Sequence, residues 1–128
     1  MAKRLFLLFS HMLREEQEES AKDLFGVQKF VTLPSELQGL WSSVPPELES
    51  ILEYLEPIRE YLQEELREGD VVLIQGDFGA TYHMVHFVGG LGARAIYATT
   101  KRDVIEELNG DVVVKRSVFK HVRFRAYV

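Results

Sequence analysis

Val71-Val72-Leu73-Ile74-Gln75-Gly76-Asp77-Phe78-Gly79-Ala80-Thr81 is the stretch that decides the fold. Its first four residues form an apolar run with no polar alternation, which suits a strand covered on both faces. Gly76 and Gly79 then allow a tight turn and a close approach of backbone to a neighbour. Residues 80–88 read as a helix, ended by Gly89, Gly90 and Gly92. A doubly covered strand running into a helix is the unit from which parallel α/β sheets are built.

The alternation extends both ways. Downstream, residues 94–97 read as a strand, residues 98–102 as the loop after it and residues 103–108 as a short helix stopped by Asn109-Gly110. Residues 112–119 and 122–128 read as an antiparallel hairpin turning at Lys120-His121. Upstream, Leu48, Ile51, Leu52, Leu55, Ile58, Tyr61, Leu62 and Leu66 recur at helical spacing. Pro57 interrupts that run, so a kink or a split is expected there. Ser42-Ser43-Val44-Pro45-Pro46 is a break. Residues 35–41 read as a short helix with Ser35 as N-cap, and residues 29–33 as a strand closed by Pro34. Residues 13–25 read as a helix that turns Glu15, Glu16, Glu18 and Glu19 to water and ends at Gly26. Residues 5–9 are a second continuous apolar strand. The expected fold class is α/β, one domain over residues 1–128. Its mainly parallel sheet is flanked by helices and carries a C-terminal antiparallel β-hairpin.

Hydrophobic residues make up 46% of the chain and charged residues 27%, ordinary globular usage that argues against disorder. A chain of this length buries roughly two-thirds of its unfolded surface. No cysteine is present, which excludes disulfides, thiolate zinc sites and thiol nucleophiles. No apolar run approaches the roughly 20 residues of a membrane-spanning helix. The 5–9 run is too short for a secretory leader and no small-residue cleavage site follows it, so a cytoplasmic location and no membrane partner are expected. The net charge of −5 is unevenly spread: residues 1–70 carry −8, residues 71–128 carry +3, and no acid follows Asp111. The acidic total argues against long nucleic acid as a partner. The basic C-terminal part suits a compact anion, or is a solvated edge.

Ligands of open α/β sheets bind beyond the carboxyl ends of the strands. Three loops are expected there: Ser10-His11, residues 76–81, and Thr99-Thr100-Lys101-Arg102. The 76–81 loop leads into a helix whose free N–H groups and dipole favour an anion, and Thr81 adds a hydroxyl. It lacks the Gly-Lys-Ser/Thr ending of a Walker loop, and Asp-Phe-Gly without the other kinase motifs makes no kinase. Asp77 either faces a ligand or caps the helix. His11 is suited to acid–base work near neutral pH. Adjacent side chains of extended chain point opposite ways, and no Gly-x-Ser-x-Gly elbow exists, so serine-hydrolase chemistry is not expected of Ser10 and His11. The alternative is that Ser10 caps a turn and His11 is a satisfied polar residue. The two hydroxyls and two cations of residues 99–102 suit a phosphate or sugar phosphate, or else Thr100 caps a helix and the cations are solvated. His83 and His86 lack a third ligand and read as core or interface residues, so no metal is expected. His121, in the basic turn, reads as solvated. Leu37, Leu40 and Trp41 form either an exposed patch for a partner chain or part of the core.

Four segments together resemble a known family. They are Leu5-Phe6-Leu7-Leu8-Phe9-Ser10-His11-x-Leu13, Leu33-Pro34-x-x-Leu37-Gln38-x-Leu40-Trp41-Ser42-x-Val44-Pro45-Pro46, Gln75-Gly76-Asp77-Phe78-Gly79-Ala80-Thr81 and Thr99-Thr100-Lys101-Arg102. They look like a small stand-alone CRISPR-associated family, the Csx group of type III accessory proteins that resemble CARF domains and act as ring nucleases. The likeness runs over nearly the whole chain to about Arg102. Where that family usually has Thr, this chain has Arg14. The resemblance implies a Rossmann-like, CARF-like homodimer that binds cyclic oligoadenylate, chiefly the tetra-adenylate, across its two-fold axis. It implies metal-independent cleavage without a cofactor, in which a ribose 2′-OH attacks its own phosphate and the antiviral signal is switched off. Under it the catalytic candidates are Ser10, His11, Lys101 and Arg102: His11 for proton transfer, Lys101 or Arg102 for the charge on the phosphorane, Ser10 for a positioning hydrogen bond. The ligand-binding candidates are Gln75, Gly76, Asp77, Phe78, Gly79, Ala80, Thr81, Thr99 and Thr100. The alternative readings are a non-catalytic cyclic-nucleotide sensor or sponge, and a protein-interaction module.

Overall fold

In the computed structural model, which describes residues 2–128, β1 (Arg4–Leu8), α1 (Glu15–Phe25), β2 (Lys29–Thr32), α2 (Ser35–Ser42), α3 (Glu56–Glu65), β3 (Val71–Ile74), α4 (Phe78–Gly90), β4 (Arg94–Asn109) and β5 (Val112–Ala126) follow in order. The strands form one sheet in the order β2-β1-β3-β4-β5. The first four are parallel and β5 is antiparallel to β4. The sheet is therefore mixed, in an α/β fold, with the parallel strand order of doubly wound sheets.

The apolar runs form the central strands because both faces are covered. Leu5, Leu8 and all of Val71–Ile74 have no exposed surface. Alternate residues point to opposite faces. Leu5, Leu7, Val71, Leu73, Ile96 and Phe124 pack with Ala21 of α1. Phe6, Leu8, Val72, Ile74 and Ala95 pack with Trp41 of α2, Ile58 and Leu62 of α3, and Ala80, Met84 and Val88 of α4. Helix α1 starts with Glu15, Glu16 and Glu18, whose charges suit its positive end, and stops at Gly26 in the left-handed region, φ 68°. At the amino ends of β1 and β3, Arg4 Nη2 lies 2.6 Å from Asp70 Oδ2, and Asp70 also accepts from the Arg67 N–H at 2.8 Å. This buried ion pair fixes the end of the sheet opposite to the site.

The C-terminal third differs from the sequence expectation. β4 does not leave the sheet after Tyr97. It pairs with β5 from Ile96↔Ala126 to Asn109↔Val112. Thr99-Thr100-Lys101-Arg102 is thus the middle of a strand, residues 103–108 are strand and not helix, and the hairpin turns at Gly110 and not at Lys120-His121. Thr99, Thr100, Val104 and Ile105 on β4 and the Val112-Val113-Val114 run on β5 are β-branched residues that favour extended pairing. Asn109-Gly110, with Gly110 at φ 68°, is a hairpin signal. Upstream, residues 48–51 are irregular and residues 52–55 turn, so neither is helix; Pro57 lies in the first turn of α3, where its missing N–H is harmless. Pro34, not Ser35, is the N-cap of α2. Trp41 belongs to the core, with 1% of its surface exposed.

Candidate functional site

The chain leaves β1 towards β2 on one side and returns to β3 on the other, so the strand order reverses at β1 and β3. That switch point is where doubly wound sheets bind ligands. Beyond it, an open cleft of about 370 Å³ lies between the β1–α1 connection, the first turn of α1 and the β4–β5 ribbon. Its lining includes Phe9, His11, Arg14, Glu16, Gln17, Thr100, Phe119 and His121. A second cleft, of about 440 Å³, is bordered by Ser10, His11, Thr32, Ser35 and Gln38. His11 borders both, and Ser10 only the second. The chain before them is held by Gln38, whose Nε2 donates to the Phe9 carbonyl at 2.8 Å. The exposed His11 ring stands edge-on to Phe9, centroids 5.4 Å apart. Arg14 is the N-cap of α1, and its N–H donates to Gln17 Oε1 at 2.9 Å, which keeps it at the mouth.

The register of the ribbon sorts the remaining candidates by face. Thr100 pairs with His121 and Arg102 with Phe119. Directly opposed residues share a face, so Thr100 and Arg102 lie on the α1 side with His11. Lys101, paired with Lys120, lies on the other. Arg102 Nε donates to Ser117 Oγ at 3.0 Å. The Thr99 hydroxyl donates to the Arg123 carbonyl at 3.0 Å and accepts from the Arg123 N–H at 3.2 Å. It mends the ladder beside the irregularity between Thr99 and Thr100, a structural task.

The 75–81 segment is largely occupied by packing. Gln75 Oε1 accepts from the Ala98 N–H at 2.8 Å, joining β3 to β4 beyond their last paired residues. The Gln75 carbonyl accepts from Trp41 Nε1 at 3.1 Å. A Cβ on Gly76 would sit 2.9 Å from that same nitrogen, so the indole alone demands glycine there. Gly79 closes on Ile51 Cδ1, 3.4 Å from where its Cβ would be. Asp77 caps α4, its Oδ2 accepting from the Ala80 N–H at 3.0 Å, and Ala80 is buried. Phe78 and Tyr82, 95% and 71% exposed, leave open aromatic faces one turn apart. The Thr81 hydroxyl is closed off without a hydrogen-bond partner among the described residues.

His83 and His86 lie one turn apart on α4. Arg59 Nη1 lies 3.2 Å from His83 Nε2, and burial, with Arg59 and His86 adding to it, lowers the His83 pKa. A neutral ring accepting from Arg59 fits this geometry. Among the described residues no group of three or more His, Asp or Glu side chains is placed to hold a metal ion. The residue missed in the sequence is His121. It is half-buried and not solvated, its ring packs 4.8 Å from Phe124, and neither ring nitrogen has a partner among the described residues. No local signal marks it, because its place depends on pairing with Thr100.

Residues 3–125 match the family model described as "Uncharacterized protein MJ1673 family". The chain is 45% identical over 124 residues to the Methanocaldococcus jannaschii protein named Uncharacterized protein MJ1673, covering 97% of this chain and 96% of that one. No solved structure matches.

Proposed function

The chain belongs to the MJ1673 family, and for this member we propose a ring nuclease that binds and cleaves cyclic oligoadenylate, the cyclic tetra-adenylate first, to switch off type III CRISPR antiviral signalling. The reaction is attack of a ribose 2′-OH on the adjoining phosphodiester, and it proceeds without a metal. The protein has to hold the in-line geometry, move protons and neutralise charge; orientation alone is worth roughly 7–11 kcal/mol in good cases. The observation that carries this reading is the 370 Å³ cleft beyond β1, where His11, Thr100 and Arg14 meet on the face that also bears Arg102. His11 transfers protons. Arg102, on the cleft's face, takes the charge of the phosphorane in preference to Lys101. Ser10 positions from the neighbouring cleft, and Phe78 and Tyr82 offer stacking surfaces to adenine. The fold is CARF-like in this reading, and the site is cytoplasmic. Among the described residues no helix is long and apolar enough to cross a membrane. The interaction-module alternative loses its anchor, because Trp41 is buried.

A homodimer belongs to the same proposal, since a two-fold ring asks for a two-fold site. Along the α1-side face of the ribbon, Val104, Leu108, Val113 and Phe119 are 53–81% exposed. A two-stranded ribbon is marginal alone in water, and a second copy would cover this stripe beside the cleft. Sedimentation is expected to show a dimer, and Leu108→Lys with Val113→Lys a monomer; a wild-type monomer contradicts the dimer. Calorimetric titration with cyclic tetra-adenylate is expected to give one ring per two chains. No binding of any cyclic oligoadenylate contradicts the proposal.

A further inference from the structure

We propose that His121 is the second imidazole of the cleft and the general base of ring opening, with His11 as the general acid. This rests on the ring-nuclease reading above. His121 takes the proton of the ribose 2′-OH as the 2′-oxygen bonds to phosphorus. The P–O5′ bond breaks, and His11 gives its proton to the departing 5′-oxygen. The products are a 2′,3′-cyclic phosphate and a 5′-hydroxyl. One imidazole has gained the proton the other lost, so no co-reactant is needed, and exchange with water resets the pair.

The two rings come from different elements, His11 from the β1–α1 connection and His121 from β5, and border the same cleft. A single group cannot be base and acid in one step; two imidazoles can be, provided one is neutral and the other charged. Burial lowers the His121 pKa, with Glu16 opposing it in smaller measure, which favours the uncharged ring that a base needs. The groups facing it are His11, Arg14 and Glu16 across the cleft, Thr100 and Arg102 on β4's facing side, and the Phe124 ring. Among them only Glu16 is an acid, and it stabilises the imidazolium once the proton has arrived. Among the described residues both His121 nitrogens are closed off without a hydrogen-bond partner, so turning the ring towards a ligand gives up no hydrogen bond to them. Catalytic hydrogen bonds commonly tighten only once substrate is bound. The strand irregularity at Thr99/Thr100 lies next to His121, the kind of feature that re-aims side chains beside sites.

The test compares wild type, His121→Gln and Glu16→Gln with cyclic tetra-adenylate from about pH 5 to 9, together with binding of its uncleavable 2′-deoxy analogue. His121→Gln is expected to lose about 10²–10³-fold in kcat, to bind the analogue like wild type and to lose the acidic limb of the pH profile. Glu16→Gln, at an exposed position, is expected to move that limb to lower pH, because removing the carboxylate lowers the His121 pKa further. His121→Gln at the wild-type rate with the limb intact overturns the assignment and leaves the ring-nuclease reading standing. So does an unmoved limb in Glu16→Gln, which decides the matter even if His121→Gln does not fold. Wild type that neither binds nor cleaves removes both readings.

Discussion

Replacing His11 with alanine is expected to slow ring opening about 10²–10⁴-fold, the usual worth of one positioned acid–base group, while the protein stays folded and still binds the ring. The size follows from placement. His11 borders both clefts at the carboxyl end of β1, and no other imidazole is carried by that connection. The fold is spared because the ring is exposed and its recorded ring contact is the edge of Phe9; substitutions at such positions usually stay within about 0.5 kcal/mol. Ser10→Ala is expected to cost less, since Ser10 opens only onto the second cleft. Single-turnover rates with cyclic tetra-adenylate check both. His11→Ala at the wild-type rate would remove His11 from the chemistry.

Trp41→Ala is expected to lower the unfolding free energy by about 3–5 kcal/mol. The indole is among the largest fully buried side chains, and its loss leaves a cavity between α2 and the sheet. It also takes the donor from the Gln75 carbonyl and removes the wall against which Gly76 is packed. The melting temperature is expected to fall by roughly 10–20 °C for a chain of this size. Trp41→Phe keeps most of the volume and loses the hydrogen bond, for a smaller cost. The 75–77 turn, which adjoins the β1–β3 switch point, loosens in both. Thermal denaturation followed by circular dichroism checks this, and an unchanged melting temperature in Trp41→Ala contradicts the packing described for that turn.

The central layer was legible because burial on both faces leaves its mark directly: Leu5 to Leu8 and Val71 to Ile74 have no polar alternate, and their shortness and flanking turn residues favour a strand over a buried helix. The position of His11 beyond β1 followed from this. The ribbon was not legible for the opposite reason. With neither face in the core, the charged Asp103, Glu106, Glu107 and Lys115 and the apolar Val104, Ile105 and Leu108 follow no single period, and residues 103–108 pass for a helix. Asn109-Gly110 carried the hairpin signal, but it also fits a helix stop, and only the partner strand decides. The consequences reach the site. Lys101 and Arg102 look equivalent in a loop and lie on opposite faces in a strand. Gly76 looks like a ligand contact until Trp41, far away in sequence, is seen against it. His121 looks solvated until β5 sets it opposite Thr100.

The most direct measurement is incubation of the purified protein with cyclic tetra-adenylate and cyclic hexa-adenylate in EDTA, followed by chromatography and mass spectrometry. Linear oligoadenylates ending in a 2′,3′-cyclic phosphate, formed from the tetra-adenylate in preference, are the expected result. Rings recovered intact after long incubation would contradict ring cleavage; if the protein had bound them, it would be a sensor or sponge for the messenger.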